Sequence, residues 1–309
     1  MGRCLLIVLI LLGGCSTQED SPLRVGTNIW PGYEPLYLAQ SLGNYAQVPI
    51  RLVEYPSASE VMRAFRNQTL EAAALTLDEV LALREDGIPV TVVLVNDVSD
   101  GADVIVARQG ISSMKALKGK KIALEAGALG AYMITRALEI NGMTLEDIQV
   151  INKDVNMHEA ALLHKEVDAA VTFEPVRTRL LNAGGNEIFN SRKIPGEIVD
   201  VLVVRNSYLE MYPEHVKALV AGWFNALEYM QKDMAAAAGV MAKRLSISPA
   251  EVISSYDGLI LPGHDENKKL LNGKLQRTAE GLSRVMNEAR LLSSPVSTDG
   301  MFSDRFLSP

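Results

Sequence analysis

Ala73-Ala74-Leu75-Thr76-Leu77-Asp78 and Ala169-Ala170-Val171-Thr172-Phe173-Glu174 are two versions of one phrase. Each follows a helical pattern and a short acidic turn. Each is an Ala-rich apolar run ending in Thr, a large apolar residue and a carboxylate. A short apolar run with β-branched residues and turn signals around it reads as a strand buried on both faces. Outward from each copy the same order of elements recurs. Before the first copy, strands over 23–26 and 50–54 flank a helix ending near Leu42, and Ser57 or Ser59 can cap a helix over 60–67. A helix over 78–85 and a strand over 90–95 follow. Before the second copy, strands over 121–124 and 148–151 flank a helix over 129–140, and a helix over 157–165 comes next. A helix over 176–182, closed by Gly184-Gly185, follows it. Strands alternating with helices imply parallel-rich sheets with crossover helices. The same phrase at the same place in two series implies two similarly built lobes.

A strand over 199–204 comes next, and from 213 to 288 the pattern is helical. Such a tail builds no sheet of its own, so it packs on one lobe; 292–309 reads as loose. The expected class is therefore α/β with two lobes, the chain crossing between them at 103–108 and again at 200–205. Lobe I comprises 23–103 and 205–309, and lobe II 104–204.

The first residues set the compartment. Arg3 precedes an unbroken apolar run over 5–12, then Leu12-Gly13-Gly14-Cys15. A run this short cannot span a bilayer as a helix, which needs about 20 apolar residues, so residues 1–14 read as a signal peptide. Leu-x-Gly-Cys resembles the bacterial lipobox, which makes Cys15 the lipidated first residue of a membrane-anchored mature chain with 15–22 as its tether. Ser16 after it favours the outer membrane where a cell has two. Cleavage removes Cys4, so no thiol is left for a disulfide, a metal site or catalysis. Of 309 residues, 48% are hydrophobic and 22% charged, ordinary globular values. A net charge of −7 argues against nucleic acid, which demands a concentrated basic surface.

Val25-Gly26-Thr27-Asn28-Ile29-Trp30-Pro31-Gly32-Tyr33-Glu34-Pro35-Leu36-Tyr37-Leu38-Ala39, Leu117-Lys118-Gly119-Lys120-Lys121-Ile122 and Phe173-Glu174-Pro175 resemble the nitrate/sulfonate/taurine and thiamine-pyrimidine branch of ABC-transporter substrate-binding proteins. The resemblance covers nearly the whole mature chain. It implies a hinged, two-lobe periplasmic-binding-protein fold of type II, with no cofactor, that holds a small-molecule ligand in the cleft and delivers it to an ABC permease. A monomer outside the cytoplasm is the expectation. A membrane sensor is an alternative partner to the permease.

Ligands of open α/β sheets sit beyond the carboxyl ends of the strands, which singles out four loops. In the first, Asn28, Trp30 and Tyr33 offer polar edges and flat faces for a planar or cationic ligand, and Pro31-Gly32 favours a turn there. The second and third are the paired strand ends, Thr76–Asp78 and Thr172–Glu174, with Thr76, Asp78 and Glu174 as the candidate contacts. Both acids are equally readable as helix-start carboxylates. In the fourth, Glu125, Gly127 and Gly130 lead into a helix whose free N–H groups can hold an anion. Asp200 sits at the returning crossing and Asp103 at the outgoing one. These loops carry acids and almost no Lys or Arg, which favours an amine-bearing or zwitterionic ligand over a bare anion.

An enzyme is the rival reading. His158 and His164 are six apart, about 120° around a helix, whereas a zinc-protease pair needs i, i+4. No G-x-S-x-G elbow occurs. The fungal pyrimidine synthase that shares this family's fold carries a cysteine cluster, and no cysteine follows Cys15.

Overall fold

The structure, a computed structural model, describes residues 21–307. The signal-peptide and Cys15 readings fall outside the described residues. In chain order the strands are β1 (Leu23–Asn28), β2 (Ile50–Tyr55), β3 (Ala72–Thr76), β4 (Val90–Ser99), β5 (Val104–Ala107) and β6 (Lys121–Leu124). Then come β7 (Gln149–Asn152), β8 (Ala169–Thr172), β9 (Asn186–Asn190), β10 (Val199–Arg205) and β11 (Leu259–Ile260). The helices of the two lobes are α1 (Glu34–Ser41), α2 (Ala58–Arg66), α3 (Leu77–Glu85), α4 (Leu129–Ile140), α5 (His158–Leu163) and α6 (Val176–Asn182). The tail adds α7 (Asn206–Met211), α8 (Pro213–Lys232), α9 (Met234–Leu245), α10 (Pro249–Ser255), α11 (His264–Lys269) and α12 (Leu275–Glu288).

Two sheets result, ordered β11-β4-β10-β3-β1-β2 and β7-β6-β8-β5-β9. Their centres are built alike. β1 runs parallel to β2 and β3, and β6 runs parallel to β7 and β8. In each sheet a strand arriving from the other lobe lies antiparallel beside the repeated phrase: β10 on β3, with Asp200 opposite Thr76, and β5 on β8, with Val104 opposite Thr172. The strands of the two phrases, β3 and β8, are buried throughout because both are interior strands, with neighbours on either side and helices packed nearby. Helix α2 shows the local logic. The Ser57 hydroxyl accepts from Glu60 N at 3.2 Å and caps it, Val61, Met62 and Phe65 are buried, and Arg63 points outward.

The crossings differ from the sequence expectation. β4 runs on to Ser99 and β5 starts at Val104, so the outgoing crossing is 100–103, and 104–107 is sheet rather than connector. The return lies at 191–198, because β10 is wholly part of the first sheet. Residues 199–204, expected in lobe II, therefore belong to lobe I. Val199–Val204 is buried on both faces and fills the slot between β3 and β4, pairing antiparallel with both. The two crossings are tied together. Ser191 Oγ accepts from Gly101 N at 2.6 Å and lies 2.8 Å from Ser99 Oγ, and Ser191 N donates to Asp103 O.

The helical tail packs on lobe I. α8 and α9 lie on α1, and α12 lies on α3. Buried Asn267 accepts from Val95 N and donates to Val95 O, so its side chain takes the place of a neighbouring strand. Arg244 on α9 pairs with Glu34 and Glu54 and sits 3.8 Å over the Tyr37 ring. The final segment is not loose, since Leu292, Met301, Phe306 and Leu307 are buried and Phe302 bridges Val92 beside β4.

Candidate ligand cleft between the lobes

A cleft lies where the phrases end. Asn28 ends β1, Thr76 ends β3, Thr172 ends β8 and Glu125 follows β6, so the parallel strands present their carboxyl ends to it. The antiparallel strands add their beginnings, Asp200 of β10 and Asp103 just before β5. Of the ten ligand residues expected from sequence, seven line this space: Asn28, Trp30, Tyr33, Thr76, Glu125, Gly130 and Asp200.

Trp30 is buried, and its Nε1 donates to Asp97 Oδ2 at 3.0 Å. The ring can fold back this far because residue 32 is glycine: a Cβ there would fall 1.8 Å from Asp97 Oδ2 and 2.4 Å from Trp30 Nε1. Phe173 of lobe II meets the Trp30 ring edge-to-face at 5.2 Å. The Tyr33 hydroxyl donates to Asp200. The aromatic loop thus stands against β4, β10 and the opposite lobe together.

Carboxyl groups dominate the polar lining. Asp200 of β10 stands opposite Thr76 of β3 on one side and Asp97 of β4 on the other. Burial raises Asp97 and Asp103 to about 7, and Asp200 is raised by burial and then by the nearby Asp97 and Asp103. Burial also raises Glu125 to about 7 and, with Asp78 beside it, Glu79 to about 8. Among the described residues none of these pairs with a Lys or Arg, and no Lys or Arg lines the cleft. Asp97 Oδ1 and Asp103 Oδ2 are buried without a hydrogen-bond partner, as are Thr172 Oγ1 and His158 Nδ1. His158 is fixed through Nε2, 2.9 Å from Lys153 O, and burial lowers its pKa to about 4, so the ring is neutral near pH 7.

Two carboxylates reach from lobe to lobe. Glu79 on α3 accepts from Thr76 N at 3.0 Å and, across the cleft, from Leu129 N of α4 at 3.1 Å. Glu125 accepts from Val155 N at 2.9 Å and lies 3.4 Å from Ser59 Oγ on α2.

Three expected residues are placed elsewhere. Glu174 accepts from Thr178 N and Oγ1 and faces Arg177 at 3.5 Å, so it serves the start of α6, and the groove it lines holds Ile247 and Glu251 instead. Asp78 and Gly127 line a different groove, behind Glu79, with Arg66, Glu85 and Asp86. Asp78 is buried at the start of α3, where burial raises it to about 6. The start of α4 also differs from expectation, because the N–H of Leu129 is already taken by Glu79. Glu79 and His158 are cleft residues that sequence reasoning missed, Thr172 and Phe173 lie in an expected strand end without having been singled out, and Asp103 was placed only at a crossing. Thr76-Leu77-Asp78-Glu79 is a readable capping box whose Glu reaches back to Thr76 N, so Glu79 carried a signal. No comparable pattern marks His158.

Relatives with this architecture are known. A putative binding protein of Brucella abortus (strain 2308) is 26% identical over 204 residues, 63% of each chain. The taurine-binding periplasmic protein of Escherichia coli (strain K12) is 23% identical over 199 residues, 62% of each. The chain thus spans less than two thirds of the length of these curated relatives. Among solved structures, the alkanesulfonate-binding protein SsuA of Xanthomonas axonopodis pv. citri bound to MOPS superposes with a TM-score of 0.77 at 17% identity, covering 89% of this chain and 95% of that one. The desulfurization enzyme DSZB has the same fold, with a TM-score of 0.68 at 16% identity, covering 92% and 97%. The periplasmic-binding-protein fold is therefore shared by receptors and an enzyme, and fold alone does not choose between them. The NMT1-like family model matches residues 16–246, and the chain belongs to that family.

Proposed function

We propose that the chain is an extracytoplasmic, lipid-anchored receptor that takes an amine-bearing or zwitterionic small molecule into the interlobe cleft and hands it to an ABC importer. The observation that carries the ligand class is the charge of the lining: Glu79, Asp103, Glu125 and Asp200 face one space that holds no Lys or Arg. Burying several carboxyl groups together is costly unless they hold protons or meet a cation. A cationic centre bound beside Asp103 and Asp200 supplies that counter-charge, and the flat faces of Trp30 and Phe173 suit its carbon framework. His158, neutral with an unpartnered Nδ1, can accept a hydrogen bond from an ammonium. The relatives named for taurine and sulfonate binding support the transport role. The reading is of a receptor and not of an enzyme: the lining holds and orients a ligand.

A thermal-shift screen tests the ligand class. Amine-bearing compounds should raise the melting point where nitrate and sulfate do not. A ligand at a hundred times its Kd adds about 2.7 kcal/mol, a shift of several degrees. Stabilisation by inorganic anions alone would overturn the class. Mass spectrometry of the mature protein tests the anchor, which requires a diacylated Cys15.

A further inference from the structure

We infer that Glu79 sets specificity at the far end of the ligand by filling, with the protein's own carboxyl group, the seat that an anionic ligand group would take. The inference rests on the proposed amine-binding role and decides what the other end of the amine-bearing ligand is: uncharged and polar rather than sulfonate or carboxylate.

The start of a helix offers unpaired N–H groups and a positive dipole end, a ready seat for an anion. Helix α4 has 12 residues, no side chain capping its start and no acid in its first turn. Its start lines the cleft through Ala128, Leu129 and Gly130. The space there is tight, because a Cβ on Gly130 would stand 3.0 Å from the backbone of Glu125. Beside it, Thr172 Oγ1 is buried, lines the cleft and has no partner, a polar atom waiting for a ligand. A helix start and a free hydroxyl able to hold an anionic group are thus present, but Leu129 N donates at 3.1 Å to Glu79 of the opposite lobe. Glu79 is held in this pose from its own side as well, by the 3.0 Å bond from Thr76 N. It is 2% exposed and forms the wall between the cleft and the outer groove, lining both. A sulfonate arriving at α4 would have to expel this side chain or lie against it. A hydroxyl or amide would not compete for the seat.

The test uses taurine and ethanolamine, which share an aminoethyl group and differ in sulfonate against hydroxyl, with the mature chain measured by calorimetry. Glu79→Ala empties the seat. Glu79→Gln keeps the packing with little risk to folding and removes the negative charge of the carboxyl, so that a sulfonate nearing Leu129 N meets no like charge. Both variants should bind taurine more tightly than the wild type by about tenfold, the scale of a charge at a helix N-terminus. Ethanolamine affinity should change far less. Taurine affinity that is unchanged or weaker in a folded Glu79→Gln variant would overturn the inference, as would a wild type that already prefers taurine over ethanolamine. Failure of the receptor reading looks different: no amine-bearing compound would stabilise the wild type, whatever the variants do with taurine.

Discussion

The ends of β3 and β8 spell nearly the same phrase and do different work. After Thr76 the chain enters α3 at once, which turns Asp78 toward an outer groove and swings Glu79, at the third helical position, across to lobe II. After Thr172 the helix is delayed to Val176. Phe173 then enters the cleft, while Glu174 turns back to serve Thr178 and Arg177. The acids aligned in the two phrases, Asp78 and Glu174, are the ones absent from the cleft. A repeated sequence pattern therefore locates equivalent backbone, and the residue or two of loop that follow decide which side chain faces the ligand.

The sharpest way to break this comparison is to neutralise one acid of each kind. Asp200→Asn should weaken binding of a cationic ligand by about 2–5 kcal/mol, the usual cost of removing one partner from a buried charge pair. Glu174→Gln should leave the Kd unchanged. Calorimetry on the two variants decides it, and equal losses would mean that Glu174 faces the ligand after all.

A smaller effect follows from pH. The acids in and just behind the cleft are raised above their ordinary values: Asp97, Asp103 and Glu125 to about 7 and Glu79 to about 8. A raised carboxyl binds its proton more tightly in the folded chain than in the unfolded one, so its contribution to stability is complete below about pH 4 and is lost as pH rises through 7 to 8. The ligand-free melting point should fall by several degrees between pH 5 and pH 8. A cationic ligand, competing with those protons, should bind more tightly at pH 8 and release protons on binding. Calorimetry in buffers of different ionisation enthalpy reads that release. Affinity that falls with rising pH would remove the cation from the account.

The smallest effect sharpens the structural side. Glu174→Gln weakens its bonds to Thr178, so it should cost about 1 kcal/mol of stability, as the loss of a helix-start carboxylate commonly does. Chemical denaturation measures it. Phe173→Leu should cost a similar amount, about 0.5–1.5 kcal/mol for the lost edge-to-face contact with Trp30.

Most of the strands and both lobes were legible because apolar runs of 4–8 residues bounded by turn residues are a local signal. β5 and β9 were not, since both are short and β9 (Asn-Glu-Ile-Phe-Asn) is polar at both ends. Seven cleft residues were legible for a related reason: the ends of parallel strands form the site in this kind of sheet. Trp30 was found as a loop aromatic, whereas its bond to Asp97 joins residues 67 apart in the chain and leaves no trace in either neighbourhood.

By itself, then, the sequence determined the alternation of strands and helices, the doubling of the lobes and the acidic cast of the loops, all properties of residues near one another in the chain. Tertiary structure alone decided that β10 belongs to the first sheet, that Glu79 rather than Asp78 reaches the cleft, and that the start of α4 is occupied. Those outcomes depend on which lobe a segment crosses into and on the direction a side chain takes after a turn. They are settled by packing between segments 50 or more residues apart, as with Glu79 and Leu129, where the geometry of one lobe completes the hydrogen bonds of the other.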